Sequence, residues 1–501
     1  MRLTDLMQDH TDTGWPPIPA AHLVGPDVDI TGLSADSRRI EPGMLFAALP
    51  GTRVDGRHYI PDALRHGAIA VLAETGTALP ATDKVISLVT DDCVPRRFAR
   101  MASAYCGPQP ACIAAVTGTN GKTSVATFAS QIWRSAGRPA ASLGTLGIES
   151  DGASQARLDS RLTTPDVMDL HHALARLAGD GVAHLALEAS SHGLAQHRLD
   201  GVRVSIAAFT NLSHDHLDYH GDMAAYRRAK ERLFSEIVVT GGSVVLNRDS
   251  GEYDTLRNIA RARNLSVLDY GLTHGGVRCD HMAATPEGWR LTLTIGGTTG
   301  DVRLPLWGRF QILNALAAAG IGLASGLSSM QVLNALNRLH GAPGRMEIIG
   351  ATEAGGLVVV DYAHTPDALQ AALQAMRPHV TGRLVVVFGC GGDRDGAKRP
   401  VMGRIAAHNA DRVIVTDDNP RTENAEAIRR QILAQAPDAL HIADRRQAIE
   451  TAVRGLAAGD GLLIAGKGHE TGQIIGDQIL PFDDRAVARG LIGSGQGAAH
   501  G

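Results

Sequence analysis

At 501 residues, 44% of them apolar and 20% charged, with a net charge of −4, the chain has an ordinary soluble composition and is too long for one core, so roughly two to four domains are expected. No basic excess points to a nucleic-acid partner, and 4% aromatics leaves little material for base stacking. The five cysteines, Cys93, Cys106, Cys112, Cys279 and Cys390, form no CxxC pair and are odd in number, which reads as reduced thiols and not as a disulfide framework or zinc site.

Met1 to Pro19 holds no apolar core of signal-peptide length, and a soluble, cytoplasmic chain is expected. Short apolar runs follow, Met44–Leu49 and Ala68–Leu72, and the pattern breaks at Tyr105–Pro110. From Cys112 onward β-branched runs alternate with longer helical patterns, which predicts a parallel sheet flanked by helices. Cys112–Val116 reads as a buried strand, and Thr117-Gly118-Thr119-Asn120-Gly121-Lys122-Thr123 follows it before a helix. Backbone N–H groups in such a turn can cradle phosphates, with Lys122 reaching the terminal phosphates and the Thr123 hydroxyl binding magnesium. Val116 stands where the full pattern asks for glycine.

Leu185–Leu187 is an apolar strand ending in Glu188, a usual place for a magnesium ligand. Asn211 to His220 packs His214, Asp215, His216, Asp218 and His220 together. Alone, those imidazoles favour a transition metal; a polar loop of hydrogen-bonded histidines is the plain alternative, and a bound ATP would favour magnesium. Lys230 lies on the amphipathic segment Tyr226–Leu233, where a solvated lysine is the common outcome and spacing alone does not separate it from Arg227 and Arg228. Ile312–Leu327 is interrupted by Asn314 and Ser325 and falls short of a membrane span, so a buried helix is predicted.

A second break falls at Gly341–Gly344, giving segments 1–107, 108–341 and 342–501. In the last, four apolar strands, Leu357–Val360, Leu384–Phe388, Val413–Val415 and Leu462–Ala465, each run into a polar cluster. These clusters are Asp361–His364, Gly391–Asp395, Asp417–Arg421 and Gly466–Glu470. In an open parallel sheet such ends share one edge, where ligands bind. Arg421 offers a planar fork suited to a carboxylate. The Gly- and Ala-rich tail from Gly493 is expected to be disordered.

Together these residues resemble the Mur ligases, ATP-dependent amide-forming enzymes of peptidoglycan precursor synthesis, over nearly the whole chain. Gly118–Thr123 looks like the family's phosphate loop, a variant without the first Walker glycine, and Asp215–Gly221 resembles its central metal and nucleotide motif. Gly308 and Asn314 fall where the family places its adenine-side helix, with Gln311 where asparagine is usual. Within the family the likeness is to the branch that adds the third residue of the stem peptide. Ala35-Asp36-Ser37-Arg38, Gly43–Phe46 and Asp55–Arg57 look like its uridine-diphosphate-binding region. Thr163, Thr164, Glu188–Leu194 with Ser190, Gln196 and Arg198 resemble its muramoyl-dipeptide segment. Lys230 occupies the place of a lysine that the family carbamylates, and Asp418-Asn419-Pro420-Arg421 resembles the form that selects meso-diaminopimelate.

The resemblance implies a three-domain α/β protein: a UDP-binding N-terminal domain, a central P-loop ATPase-like parallel-sheet domain and a C-terminal Rossmann-like domain. It implies ligation of meso-diaminopimelate to UDP-N-acetylmuramoyl-L-alanyl-D-glutamate with ATP and magnesium, in a cytoplasmic monomer with no nucleic-acid or membrane partner. Gly118, Thr119, Asn120, Gly121, Lys122, Thr123, Asn314, Arg345, Asp361 and His364 would serve ATP, with Lys122, Lys230 and His216 catalytic. Thr123, Glu188, His216 and carbamylated Lys230 would hold the metal. Arg394, Asp418, Asn419, Pro420, Arg421, Gly466 and Glu470 would meet diaminopimelate. The competing readings are a lysine-adding ligase, a folylpolyglutamate-type ligase, a P-loop regulatory or transport ATPase, and a zinc hydrolase built on His214, His216 and His220.

Overall fold

The computed structural model describes residues 1–8, 14–51, 54–150, 162–285 and 287–493. Among the described residues three large sheets succeed one another along the chain, followed by a two-stranded hairpin of Gly472–Ile475 and Gln478–Pro481. In the first, the order is His22–Val24, Ser87–Asp91, Ala70–Glu74, Leu45–Ala47 and Leu33–Ser34, all parallel except the outermost His22–Val24. Helix Val94–Cys106 packs beneath it, burying Val94, Phe98, Met101 and Ala102. The chain breaks out of that helix at Gly107.

The second sheet has ten strands. Cys112–Thr117 lies at its middle between His184–Glu188 and Val204–Phe209, parallel to both. Its residues from Ile113 to Thr117 are buried on both faces, which is why the run reads as continuously apolar. Helix Arg309–Ala324 is apolar all round because it is enclosed, between helix Lys122–Ser135 and the strands Val204–Phe209, Ser243–Asn247 and Ser266–Gly271. The predicted buried helix at Ile312–Leu327 is thus present, ending near Ala324.

One expectation needs correction. The sheet after Cys112 is not parallel throughout: Val277–Thr285, Gly288–Ile295 and Thr298–Leu304 form an antiparallel meander at one edge, and Gly147–Ser150 pairs antiparallel at the other. The meander strands turn one face to the helices Arg309–Ala324 and Ser329–Leu336 and the other outward, so their side chains alternate between buried and exposed. Helix Ser329–Leu336 opens with a capping box between Ser328 and Gln331.

The third sheet runs Glu347–Ala351, Leu357–Asp361, Gly461–Ala465, Leu384–Phe388, Arg412–Val415 and Leu440–His441, with only Glu347–Ala351 antiparallel. All four polar clusters therefore leave the carboxyl ends of neighbouring parallel strands, along one edge. No helix among the described residues is long and apolar enough to cross a membrane. The tail beyond Gly493 lies outside the described residues.

Candidate active site

The phosphate loop follows Cys112–Thr117 and hands over to helix Lys122–Ser135 at Gly121. It is braced from the next strand. Asn211 O accepts from Thr119 N–H at 2.8 Å, Asn211 Oδ1 from Asn120 N–H at 3.0 Å, and Thr210 Oγ1 donates to Asn120 O at 2.6 Å. Gly118 has φ +148°, and a Cβ there would lie 1.8 Å from Thr210 Oγ1, so only glycine fits the brace. Lys122 Nζ donates to Gly118 O at 2.9 Å and Thr119 O at 2.8 Å. Burial lowers the Lys122 ammonium from its ordinary value, against the pull of Glu188 and Asp215.

Lys230 reaches the same place. Helix Met223–Arg232 turns Tyr226, Ala229 and Lys230 inward and Arg227 and Arg228 outward, so Lys230 is 2% exposed and is not a solvated helix lysine. Its Nζ donates to Gly118 O at 2.8 Å and lies 4.4 Å from the Tyr226 ring centre. Burial, then the Lys122 cation, push the Lys230 amine well below the lysine range, with Asp215 opposing. Burial works against the Asp215 carboxylate, yet His216, His364 and Lys122 hold its pKa below the usual value.

The histidines of the Asn211–His220 cluster do not converge on a centre. The His216 and His220 rings stand around His192, at 4.8 and 5.5 Å between centroids, and burial brings His192 and His220 down to about 4. Among the described residues no three His, Cys, Asp or Glu side chains could hold a metal ion, so the zinc reading finds no geometry here. His216 has φ +54° and sits at the start of the turn Leu217–His220, its N–H donating to Asp215 Oδ1 at 2.9 Å.

Glu188 ends its strand 2% exposed. Oε2 accepts from Thr123 Oγ1 and Thr145 Oγ1, both at 3.1 Å, and Oε1 from Thr145 N–H at 2.8 Å. Thr164 Oγ1 donates to Glu188 O at 2.8 Å and accepts from Ser190 N–H at 3.0 Å, while Ser190 Oγ caps the short helix Ser191–Ala195. Arg198 donates to Thr164 O at 2.6 Å and Gln196 Oε1 at 2.5 Å. Thr145 Oγ1 also hydrogen-bonds to Thr163 Oγ1 at 3.2 Å, so Thr163, Thr164, Ser190, Gln196 and Arg198 form one connected patch beside the Glu188 carboxylate. Ala35 and Ser37 follow the strand Leu33–Ser34 of the first sheet, where Ser37 opens the short 3-10 helix Ser37–Arg39 and its Oγ donates to Asp62 Oδ2 at 2.7 Å.

From the bend just before the strand Glu347–Ala351, Arg345 Nη2 donates to Thr123 Oγ1 at 3.2 Å, and its guanidinium lies 4.3 Å from the Tyr362 ring centre. Asp361 accepts from Met346 N–H at 2.7 Å and Ala363 N–H at 2.8 Å; burial raises its pKa. His364 accepts on its carbonyl from Lys398 Nζ at 2.8 Å. Asn314, 6% exposed, donates from Nδ2 to Gln311 Oε1 at 3.0 Å.

A cavity of about 1220 Å³ opens between the second and third sheets. Thr145, Glu149 and Thr163 line one side, and Tyr362, Arg394, Asn419, Arg421, His469 and Glu470 the other. Arg421 adopts φ +52°, and its Nη1 donates to Gly392 O at 2.7 Å. Asn419 Nδ2 donates to Glu470 Oε2 at 2.9 Å. Asp418 is 8% exposed, packed against Gly466, and Pro420 backs onto Gly392. Sequence reasoning missed the brace by Thr210 and Asn211, the clamp by Thr145, and Lys467, which reaches Asn419 and Glu470 from behind. An inward lysine flanked by two glycines was the available signal.

Family models match three stretches: "Mur ligase family, catalytic domain" over residues 29–102, "Mur ligase middle domain" over 116–322, and "Mur ligase, glutamate ligase domain" over 344–468. The UDP-N-acetylmuramoyl-L-alanyl-D-glutamate--2,6-diaminopimelate ligase of Caulobacter vibrioides is 49% identical over 463 residues, 92% of this chain and 95% of that protein. Its namesake from Bradyrhizobium diazoefficiens is 48% identical over 497 residues, 98% of this chain and 99% of the relative. A solved structure of a UDP-N-acetylmuramoyl-L-alanyl-D-glutamate--2,6-diaminopimelate ligase superposes with a TM-score of 0.68 at 36% identity, over 93% of this chain and 95% of that one.

Proposed function

The chain belongs to the Mur ligase family, and from that premise we propose that it joins 2,6-diaminopimelate, in its meso form, to UDP-N-acetylmuramoyl-L-alanyl-D-glutamate at the expense of ATP. The observation that carries this reading is the cavity, where Thr163 and Thr145, the residue that clamps Glu188, face Arg394, Asn419, Arg421 and Glu470. We place its domain boundaries near Gly107 and Gly341, and its work in the cytoplasm.

A carboxylate is a poor electrophile, so its oxygen first attacks the ATP γ-phosphorus, giving an acyl phosphate and ADP. The amino-acid amine then attacks the acyl carbon, a tetrahedral intermediate forms, and phosphate leaves. The phosphate loop backbone and Lys122 orient the transferring group, and Arg345, whose Nε is buried with no acceptor among the described residues, adds a donor from beside the third sheet. Arg421 pairs with the distal carboxylate and Glu470 with the distal ammonium.

Thr123 and Glu188 offer hard oxygens 3.1 Å apart, a donor set that fits magnesium, with His216 as the further ligand of this reading. Magnesium held there would neutralise charge on the phosphates. Lys230 fits only as its carbamate, in which the neutral amine has added to CO₂ and lost a proton. Its burial and low pKa favour that neutral amine. The deciding experiment incubates the purified protein with ATP, the UDP-muramoyl dipeptide and a panel of amino acids. A new amide with diaminopimelate is the expected product; lysine in its place, or ATP hydrolysis without any amide, refutes the reading.

A further inference from the structure

The cluster Gly466-Lys467-Gly468-His469-Glu470 enters the mechanism through Glu470, and its lysine has no part in it. Yet Lys467 is among the largest fully buried side chains of the protein, at 0% exposure. A buried ammonium is costly unless acceptors meet its donors. Nζ donates to Asn419 Oδ1 at 2.9 Å and to Glu470 Oε2 at 3.0 Å. Asn419 Nδ2 closes the triangle on the same Glu470 oxygen at 2.9 Å, and Ile474 N–H donates to Asn419 Oδ1 at 2.9 Å. Both ends of the Asn419 carboxamide are thereby assigned, its oxygen toward Lys467 and its nitrogen toward Glu470.

The backbone is shaped for this. Gly466 and Gly468 flank the lysine at φ +113° and +54°, and Glu470 N–H returns to Lys467 O at 2.9 Å. A Cβ at Gly468 would lie 2.7 Å from both Gly344 O and Tyr362 Cβ. Asn419 and Glu470 line the cavity; Lys467 does not. Both donors converge on Glu470 Oε2, which leaves Oε1 to the cavity.

We infer that Lys467 is a positioning residue for the amino-acid substrate: from behind the wall, it aligns and charge-balances Asn419 and Glu470, and so sets the affinity for a substrate ammonium that it never touches. The inference rests on the proposed reading of Glu470 as the partner of that ammonium. Charge-assisted hydrogen bonds are among the strong ones, and a carboxylate held in one rotamer by two donors loses less freedom when the ligand arrives.

The test measures KM for diaminopimelate, ATP and the UDP-linked substrate, kcat, and the melting temperature in wild type, Lys467→Met, Glu470→Gln and the double variant. Lys467→Met should raise KM for diaminopimelate about tenfold or more, with the other two KM values within about twofold and kcat changed less than KM. In the Glu470→Gln background the same substitution should add less than about twofold, because its target is gone. Lys467→Gln, which keeps a donor without the charge, should recover part of the affinity, and it carries the same comparison if the methionine variant fails to fold. Equal loss of affinity for all three substrates, or a full additive cost in the Glu470→Gln background, overturns the inference. If Glu470→Gln alone leaves KM for diaminopimelate unchanged, the reading of Glu470 fails first and takes the inference with it.

Discussion

The phosphate loop and the amino-acid edge both gather cations, and they balance them differently. At the loop, half-buried Lys122 and buried Lys230 donate to neutral carbonyls, Gly118 O and Thr119 O, while Glu188 is occupied by threonine donors. At the edge, nearly every buried cation has its own carboxylate. Arg399 meets Glu423 through two bonds of 2.9 Å, Lys467 meets Glu470, and Arg445 meets Asp484 with both side chains at 0% exposure. Arg445 also donates to Ala465 O and Asp417 O, tying the ends of the two strands that feed the edge loops. At the loop the Lys122 ammonium has no carboxylate hydrogen-bonded to it, and Lys230 is held toward its neutral amine, so a phosphate brings the charge that Lys122 meets. At the edge these pairs leave the buried cations neutralised, and shape together with the Arg421 and Arg394 guanidiniums that line the cavity decides.

The comparison breaks most visibly if the loop is weakened. Lys122→Ala should cut kcat about a hundred- to a thousandfold, as for removal of a single transition-state donor, with the melting temperature unchanged. Wild-type turnover in that variant would remove the phosphate-loop assignment. Lys230→Ala should be similarly impaired and partly rescued by formate or acetate, which can fill the vacated site. Carbon-13 bicarbonate should label Lys230 in the wild type, and full activity with an unmodified lysine would sink the carbamate.

On the edge the effect is smaller and selective. Arg421→Ala should lower kcat/KM for diaminopimelate about ten- to a hundredfold, leaving KM for ATP as it was. Arg421→Lys should not restore it, because the planar fork is lost. Unchanged preference between diaminopimelate and lysine would refute the role given to Arg421.

The smallest effect concerns stability. The Arg383 hydrogen bond, then Ala457 N–H, hold the Asp460 carboxyl at about 2, below an unfolded value of about 3.9. A lowered carboxylate stabilises the fold above the unfolded value and loses that contribution as pH falls through the folded one. The melting-temperature gap between wild type and Asp460→Asn should therefore be full above about pH 4 and close by about pH 2. A gap independent of pH would show that Asp460 acts through packing alone.

What the sequence disclosed was what is contiguous in the chain. Strand, phosphate turn and helix at Cys112–Ser135 follow one another, as do the four strands and their polar ends, so period and punctuation reveal them. The enclosed helix at Arg309–Ala324 announced itself by lacking a polar face. Contacts that close over long separations did not show. Arg345 reaches Thr123 across 222 residues, and Lys467 reaches Asn419 across 48. Lys230 was a missed local signal: Tyr226, Ala229, Lys230 and Leu233 recur at helical spacing and are all buried. The antiparallel meander was overlooked because its alternation was read within a longer α/β rhythm.

The lacing between Gly392–Asp393 and Asn419–Thr422 bears on how such an enzyme could be re-engineered. Gly392 N–H donates to Asn419 O at 2.9 Å, Arg421 Nη1 to Gly392 O, and Thr422 N–H and Oγ1 to the Asp393 carboxylate. A Cβ at Gly392 would sit 1.9 Å from Pro420 O. Asp418–Arg421 grafted into a scaffold with a side chain at 392 would meet that clash and lose its shape. The transferable cassette is the pair of loops, and a swap of amino-acid preference by recombination has to carry both.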